Sequence, residues 1–172
     1  MKRFPALCPA FALAASLLFA AGAAALSGSV YGSVAGDYSV SFPAPPEEHV
    51  HPGSGFRIVT HVVRDDNVIY IVAHGDFEVP VQADIELDAN IDNYVKEFGA
   101  KVTSRGTLAF GRGDKPMPAR QFIYDSDRVS GKGIVVVDGR SSYLVAATAV
   151  KPSSREPAVN AFVSSFKLIP AN

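Results

Sequence analysis

Cysteine is nearly absent: Cys8 is the only one in the 172-residue chain, and it precedes the apolar stretch Phe11–Ala21 (F-A-L-A-A-S-L-L-F-A-A). A lipid-attachment cysteine would follow such a stretch, so Cys8 is not one. Beyond it the chain offers no disulfide, no thiolate nucleophile and no cysteine metal ligand. A basic excess is missing too. With 16 Lys and Arg against 17 Asp and Glu, there is no electrostatic footprint for nucleic acid or an anionic membrane surface. No segment repeats at a solenoid period and no low-complexity tract runs beyond one short Gly/Ser stretch, which sets repeat architectures aside. The longest apolar run is shorter than a bilayer requires.

That run has another use. Lys2 and Arg3 give it a positive start, and Ala23 and Ala25 put small residues where a signal peptidase reads, so residues 1–25 read as a signal peptide cut after Ala25. The expected location is periplasmic or secreted. Cleavage leaves 147 residues and lowers the formal charge from −1 to −3, because Lys2 and Arg3 are the only charges lost. Residues 26–36 (L-S-G-S-V-Y-G-S-V-A-G) are small, uncharged and Gly/Ser-rich, as in a flexible leader. Residues 37–172 then form one domain, which without disulfides must stand on its own core.

Within that domain the period-2 signal dominates. Tyr38–Phe42 alternates and stops at Pro43, as a first strand does. Gly55–Val63 and Val68–Phe77 are β-branched runs separated by the turn cluster R-D-D-N, which makes them a hairpin. Further strands are expected at Lys101–Phe110, Arg120–Asp125, Gly133–Val137 and Tyr143–Val150, the last two joined at Asp138 and Gly139. The helical period occurs twice. Leu87, Ile91, Tyr94, Val95 and Phe98 form one stripe, with Asp84 or Asp88 to cap it and Gly99 to end it. Val159, Phe162, Val163 and Phe166 form the other, with Pro157 in its first turn. Strands in hairpin order with two inserted helices predict an α+β fold: a mostly antiparallel sheet with helices packed on it.

Particular stretches carry a resemblance. G-D-Y-S-V-S-F-P-A-P-P, the helix end E-F-G-A-K-V, the hairpin D-G-R-S-S-Y-L-V and the terminal A-F-V-S-S-F-K-L are similar to exported bacterial proteins of the PsbP-like, Mog-type fold, over residues 37–169. The resemblance implies an α/β/α sandwich and mostly binding or assembly roles. It brings no functional residues that map onto this chain.

Candidate chemistry centres on E-E-H-V-H, residues 47–51, between Pro46 and Pro52. In an extended loop His49 and His51 project to the same side, and Glu47 or Glu48 can add an oxygen, a set suited to Zn²⁺ or Cu²⁺. Two nitrogens do not close a site that needs about four ligands. The bland alternative is a solvated loop. His61 and His74 lie on the hairpin, where a turn near Asp66 sets them about four residues apart along the ladder, roughly 13 Å, too far to share an ion.

Other motifs carry less. S-G-K-G at 130–133 leads into a strand and lacks the first glycine of a phosphate loop, so it reads as a hairpin turn. R-G-D at 112–114 sits in G-R-G-D-K-P, which is turn chemistry. Ser54 lacks the elbow spacing of a hydrolase nucleophile. No acid and base are singled out by position, so no catalytic residue and no organic cofactor is assigned. Two readings follow: a non-catalytic binding or assembly module that contacts an envelope protein or a small ligand, and an enzyme or metal-handling protein using Glu47, Glu48, His49 and His51.

Overall fold

The computed structural model describes residues 29–33, 36–152 and 155–170, so the expected signal peptide lies outside the described residues. In chain order the elements are β1 (Ser29–Ser33), β2 (Tyr38–Phe42), β3 (Glu47–Gly53), β4 (Phe56–Asp65), β5 (Val68–Phe77), α1 (Ala83–Glu97), β6 (Lys101–Thr107) and β7 (Phe110–Arg112). After these come β8 (Lys115–Met117), β9 (Ala119–Asp125), β10 (Val129–Asp138), β11 (Ser141–Val150), α2 (Glu156–Ser165) and β12 (Lys167–Leu168). Seven strands form one antiparallel sheet in the order β3-β4-β5-β11-β10-β9-β6. A three-stranded sheet, β1-β2-β12, and the hairpin β7-β8 accompany it. The fold is α+β and mostly antiparallel, as the strand and helix periods predict.

The central strands read as unbroken apolar runs because both of their faces are covered. On β11, Tyr143, Val145 and Ala147 share a core with α2 and the β1-β2-β12 sheet, while Leu144 and Ala146 share another with α1. This is the sandwich: helix, large sheet, then a helix with a small sheet. Two-residue turns hold the long hairpins. Asp65 faces Val68 across Asp66, whose φ is 49°, and Asp138 faces Ser141 across Gly139, whose φ is 62°. A left-handed residue in each turn matches the twist of the strands it joins.

α1 buries Leu87, Ile91, Tyr94 and Val95 and leaves Phe98 half-buried, at its C-terminus. It ends in a Schellman motif: the amide of Gly99, at φ 59°, bonds the Lys96 carbonyl at 2.9 Å and that of Ala100 bonds Val95 at 3.2 Å. Its start departs from expectation. The N-cap is Gln82, without a side-chain cap. Asp84, Asp88 and Asp92 instead form one acidic row that grips Arg120 of β9 and Arg105 of β6. The Arg120 guanidinium beside Asp88 holds that carboxyl below its ordinary range. α2 follows expectation, burying Val159, Phe162 and Val163 with Pro157 in its first turn.

Several boundaries differ: β10 begins at Val129, four residues before the expected Gly133, and β8 and β12 are additional short strands. The stretch read as a flexible leader contains β1, which pairs with β2 through Tyr31↔Val40. The expected strand Lys101–Phe110 is two, β6 and β7, with a bulge between Val102 and Ser104. Residues 47–53 are not a loop but β3, the edge of the large sheet.

Candidate functional site

β3 is exposed along all seven of its residues. Extended backbone alternates its side chains, so Glu47, His49 and His51 share one face and Glu48 and Val50 the other. The four candidate ligands are therefore divided. Glu47 lies 3.7 Å from His49 Nε2 and 3.6 Å from Arg64 Nη1. Glu48 turns to the opposite face, where its carboxylate meets His61. Among the described residues no three His, Asp, Glu or Cys side chains converge as metal ligands would.

The backbone of β3 follows from its turn. Gly53 faces Phe56 across Ser54 and Gly55, a two-residue hairpin. Its closing pair exchanges both hydrogen bonds, after which bonded and non-bonded pairs alternate. Gly53, His51, His49 and Glu47 are thus satisfied by β4. Pro52, Val50 and Glu48 turn their backbone groups outward, and Pro52 spends its missing N–H on that outer side.

Behind β3 sits a cluster that composition does not announce. His61, 1% exposed, receives partners from three strands. Its Nδ1 lies 2.6 Å from the Tyr38 hydroxyl, and its Nε2 lies 2.8 Å from the Tyr31 hydroxyl and 3.1 Å from Glu48 Oε2. A carboxylate only accepts, so Nε2 carries the proton and Tyr38 donates to Nδ1. Burial pushes the His61 pKa down, and the bond to Glu48 opposes that. Burial also raises the Tyr38 hydroxyl far above its ordinary range. The cluster ties β1, β2 and β3 to β4 while keeping the imidazole neutral.

His74 is fixed separately. Its ring stacks on Tyr143 at 4.8 Å, Asp76 lies 3.0 Å from Nε2, and burial lowers its pKa. The register also corrects its spacing from His61. His61 faces Val72 and Val59 faces His74, so the two are diagonal neighbours two residues apart, about 7–8 Å, and not four. Each imidazole nevertheless has its own partners. Tyr31 lies in V-Y-G among small residues, where Val30 and its own ring are the only traces of a strand.

The lookalike motifs resolve into structure. S-G-K-G is not a turn but part of β10, paired on both sides, with Gly131 and Gly133 under the rings of Tyr124 and Phe122. R-G-D spans the β7–β8 turn, but Arg112 is turned inward. Its guanidinium lies 3.5 Å from Asp37 and from Asp138 and donates to the Tyr143 hydroxyl at 3.2 Å. Ser54 is a turn residue of the β3–β4 hairpin.

No helix among the described residues is long and apolar enough to cross a membrane. No family model and no curated protein matches the sequence. The structure is similar to the solution structure of cyanobacterial PsbP (CyanoP) from Synechocystis sp. PCC 6803, with a TM-score of 0.53 and 12% identity, over 88% of this chain and 98% of that one. At that identity the likeness speaks for the architecture alone, and the architecture of this chain is a PsbP-like α+β fold.

Proposed function

We propose that this protein is an exported, non-catalytic binding or assembly module whose contact surface is the β3 edge. One observation carries the reading: an open seven-stranded sheet ends in a strand exposed over its full length, with backbone groups of Glu48, Val50 and Pro52 facing outward. Such an edge is a template for another strand. The partner class that fits is an envelope protein presenting an extended segment, a second copy of this chain included, and a small ligand is the lesser alternative. The charged start, short apolar run and small residues at the cut support export. In an exporting host, a photoreactive residue at position 50 should yield a discrete cross-linked product, and one at the exposed Glu97 of α1 should not. Absence of product at position 50, or equal products at both, would remove the edge as contact surface. Intact mass of exported material should show residues 1–25 missing.

A second reading keeps metal at this strand. His49 and His51 stand exposed on one face, two residues apart, with Glu47 beside them. Glu48 faces the wrong way to join them while it holds His61. An ion that binds only the native state raises its melting temperature, so thermal shifts with Zn²⁺ and Cu²⁺ test this directly.

A further inference from the structure

β3 carries two imidazoles on one exposed face of a strand whose outer backbone edge is open. We propose that two copies of this chain join antiparallel along β3, with Val50 on the two-fold axis, and hold one Zn²⁺-class cation between the imidazoles of His49 and His51 from each. The proposal rests on reading β3 as a contact edge and names its occupant.

The backbone sets the register. Outward groups belong to Glu48, Val50 and Pro52, so an added strand must bond to these positions. Centring on Val50 lets its N–H reach the Val50 carbonyl of the second copy, and the Glu48 N–H reach the Pro52 carbonyl, each twice by symmetry. Pro52 is called on only as an acceptor, which is all it can be. Every outward N–H of the three positions is then satisfied.

The side chains agree with that register on both faces. Val50 is 42% exposed in one chain and would meet the Val50 of the second copy. Glu48 would sit opposite Pro52, so no like charges oppose. On the other face His49 lies opposite the second copy's His51, and the reverse, in non-hydrogen-bonded pairs. Their Cα atoms are then about 4.5 Å apart across the strands and roughly 7 Å apart along each. Four imidazoles on one face of so small a rectangle meet the tetrahedral demand of Zn²⁺, at about 2.0–2.1 Å per nitrogen. One chain supplies two ligands and its copy supplies the other two. Glu47, held between His49 and Arg64, stays beside the ion as a counter-charge.

The test is molar mass by light scattering on the exported protein, first with chelator and then with Zn²⁺ at one ion per two chains. The expected result is a doubling with Zn²⁺ that excess chelator reverses. His49→Ala, which removes two of the four ligands, should abolish the doubling. Val50→Lys, which keeps all four ligands but opposes two charges on the axis, should weaken it at least tenfold. Wild-type mass that stays single at tenfold excess Zn²⁺, or doubling that survives His49→Ala together with His51→Ala, would overturn the proposal. A Zn²⁺ thermal shift without change of mass would overturn it also, while leaving metal on a single chain. A single-mass protein that still gives a discrete heterologous product from position 50 would overturn it and leave the contact edge standing.

Discussion

Gly131→Ala should be among the most damaging single-methyl additions in this domain. A Cβ at that position would lie 2.2 Å from the Tyr124 hydroxyl oxygen and 2.4 Å from the Ala147 carbonyl oxygen. The carbonyl belongs to β11, where Ala147 faces Lys132 in the ladder beside Gly131, so it cannot retreat without opening the sheet. The ring is held as well, since the Tyr124 hydroxyl bonds Thr148 Oγ1 and the Ala147 carbonyl and touches Tyr94. Overpacking costs about 1–3 kcal/mol, and each buried hydrogen bond surrendered by a tilted ring adds about 1 kcal/mol. The sum is about 2–5 kcal/mol, or roughly 5–15 °C in melting temperature for a domain of this size. Gly99→Ala is the control. Nothing lies within 4 Å of a Cβ there, and only the positive φ of 59° is strained, at about 1–2 kcal/mol. Urea melts with unchanged slope measure both. Gly131→Ala within about 0.5 kcal/mol of wild type would refute the account of why β10 carries glycine beneath Tyr124.

Phe162→Ala should cost about 3–5 kcal/mol, because the ring is buried against Phe42 and Tyr70 at 5.1 and 5.0 Å. Phe98→Ala should cost distinctly less, since Phe98 is half-buried; denaturant melts ranking them the other way would reverse the assigned faces. In chelator, His49→Ala with His51→Ala should shift stability by no more than about 0.5 kcal/mol, because both rings are exposed on the edge; a large loss by calorimetry would mean they hold the fold. His61 and His74 have folded pKa values below the unfolded value near 6.5, from burial. The unfolded chain therefore binds more protons, and their contribution, full above about pH 6.5, is lost as pH falls through that value toward the folded pKa. Urea midpoints measured from pH 7.5 to 5 should decline, with a shallower slope in His74→Phe, and a flat profile would refute neutral burial.

Much of the fold was legible because its strongest signals are local. Val68–Phe77 reads as a strand from β-branched content alone, and Leu87, Ile91, Tyr94 and Val95 show a helix whose buried face is the predicted one. What failed depended on partners distant in the chain. Asp84 and Asp88 looked like caps, yet their positions are set by Arg105 and Arg120, which arrive from β6 and β9. Tyr31 sits among glycine and serine, where composition argues for a loose chain, and its strand exists because β2 pairs with it and its hydroxyl accepts from His61 Nε2. The register of His61 and His74 turned on where the two-residue turn falls: at Asp66 and Asn67 instead of one residue earlier, it shifts the pairing by two along β5 and makes His74 a diagonal neighbour of His61.

The misreading of E-E-H-V-H has a cause of the same kind, and it bears on function. Two flanking prolines and four polar residues have the composition of a loop, but they also have the composition of a protected edge strand, where charges and proline discourage unwanted pairing. Local sequence cannot separate these, because an edge strand takes half of its hydrogen bonds from one neighbour and none from a core. Only the hairpin through Ser54 and Gly55 decides it, by placing Gly53 against Phe56. Once the strand is accepted, parity does the rest. Glu48 leaves the group of candidate ligands for His61, His49 and His51 keep one face, and the outward backbone is left to whatever strand comes next. A metal reading confined to one chain is thereby weakened and a pairing reading strengthened by the same fact, which is why the molar mass in Zn²⁺ separates them better than metal content alone.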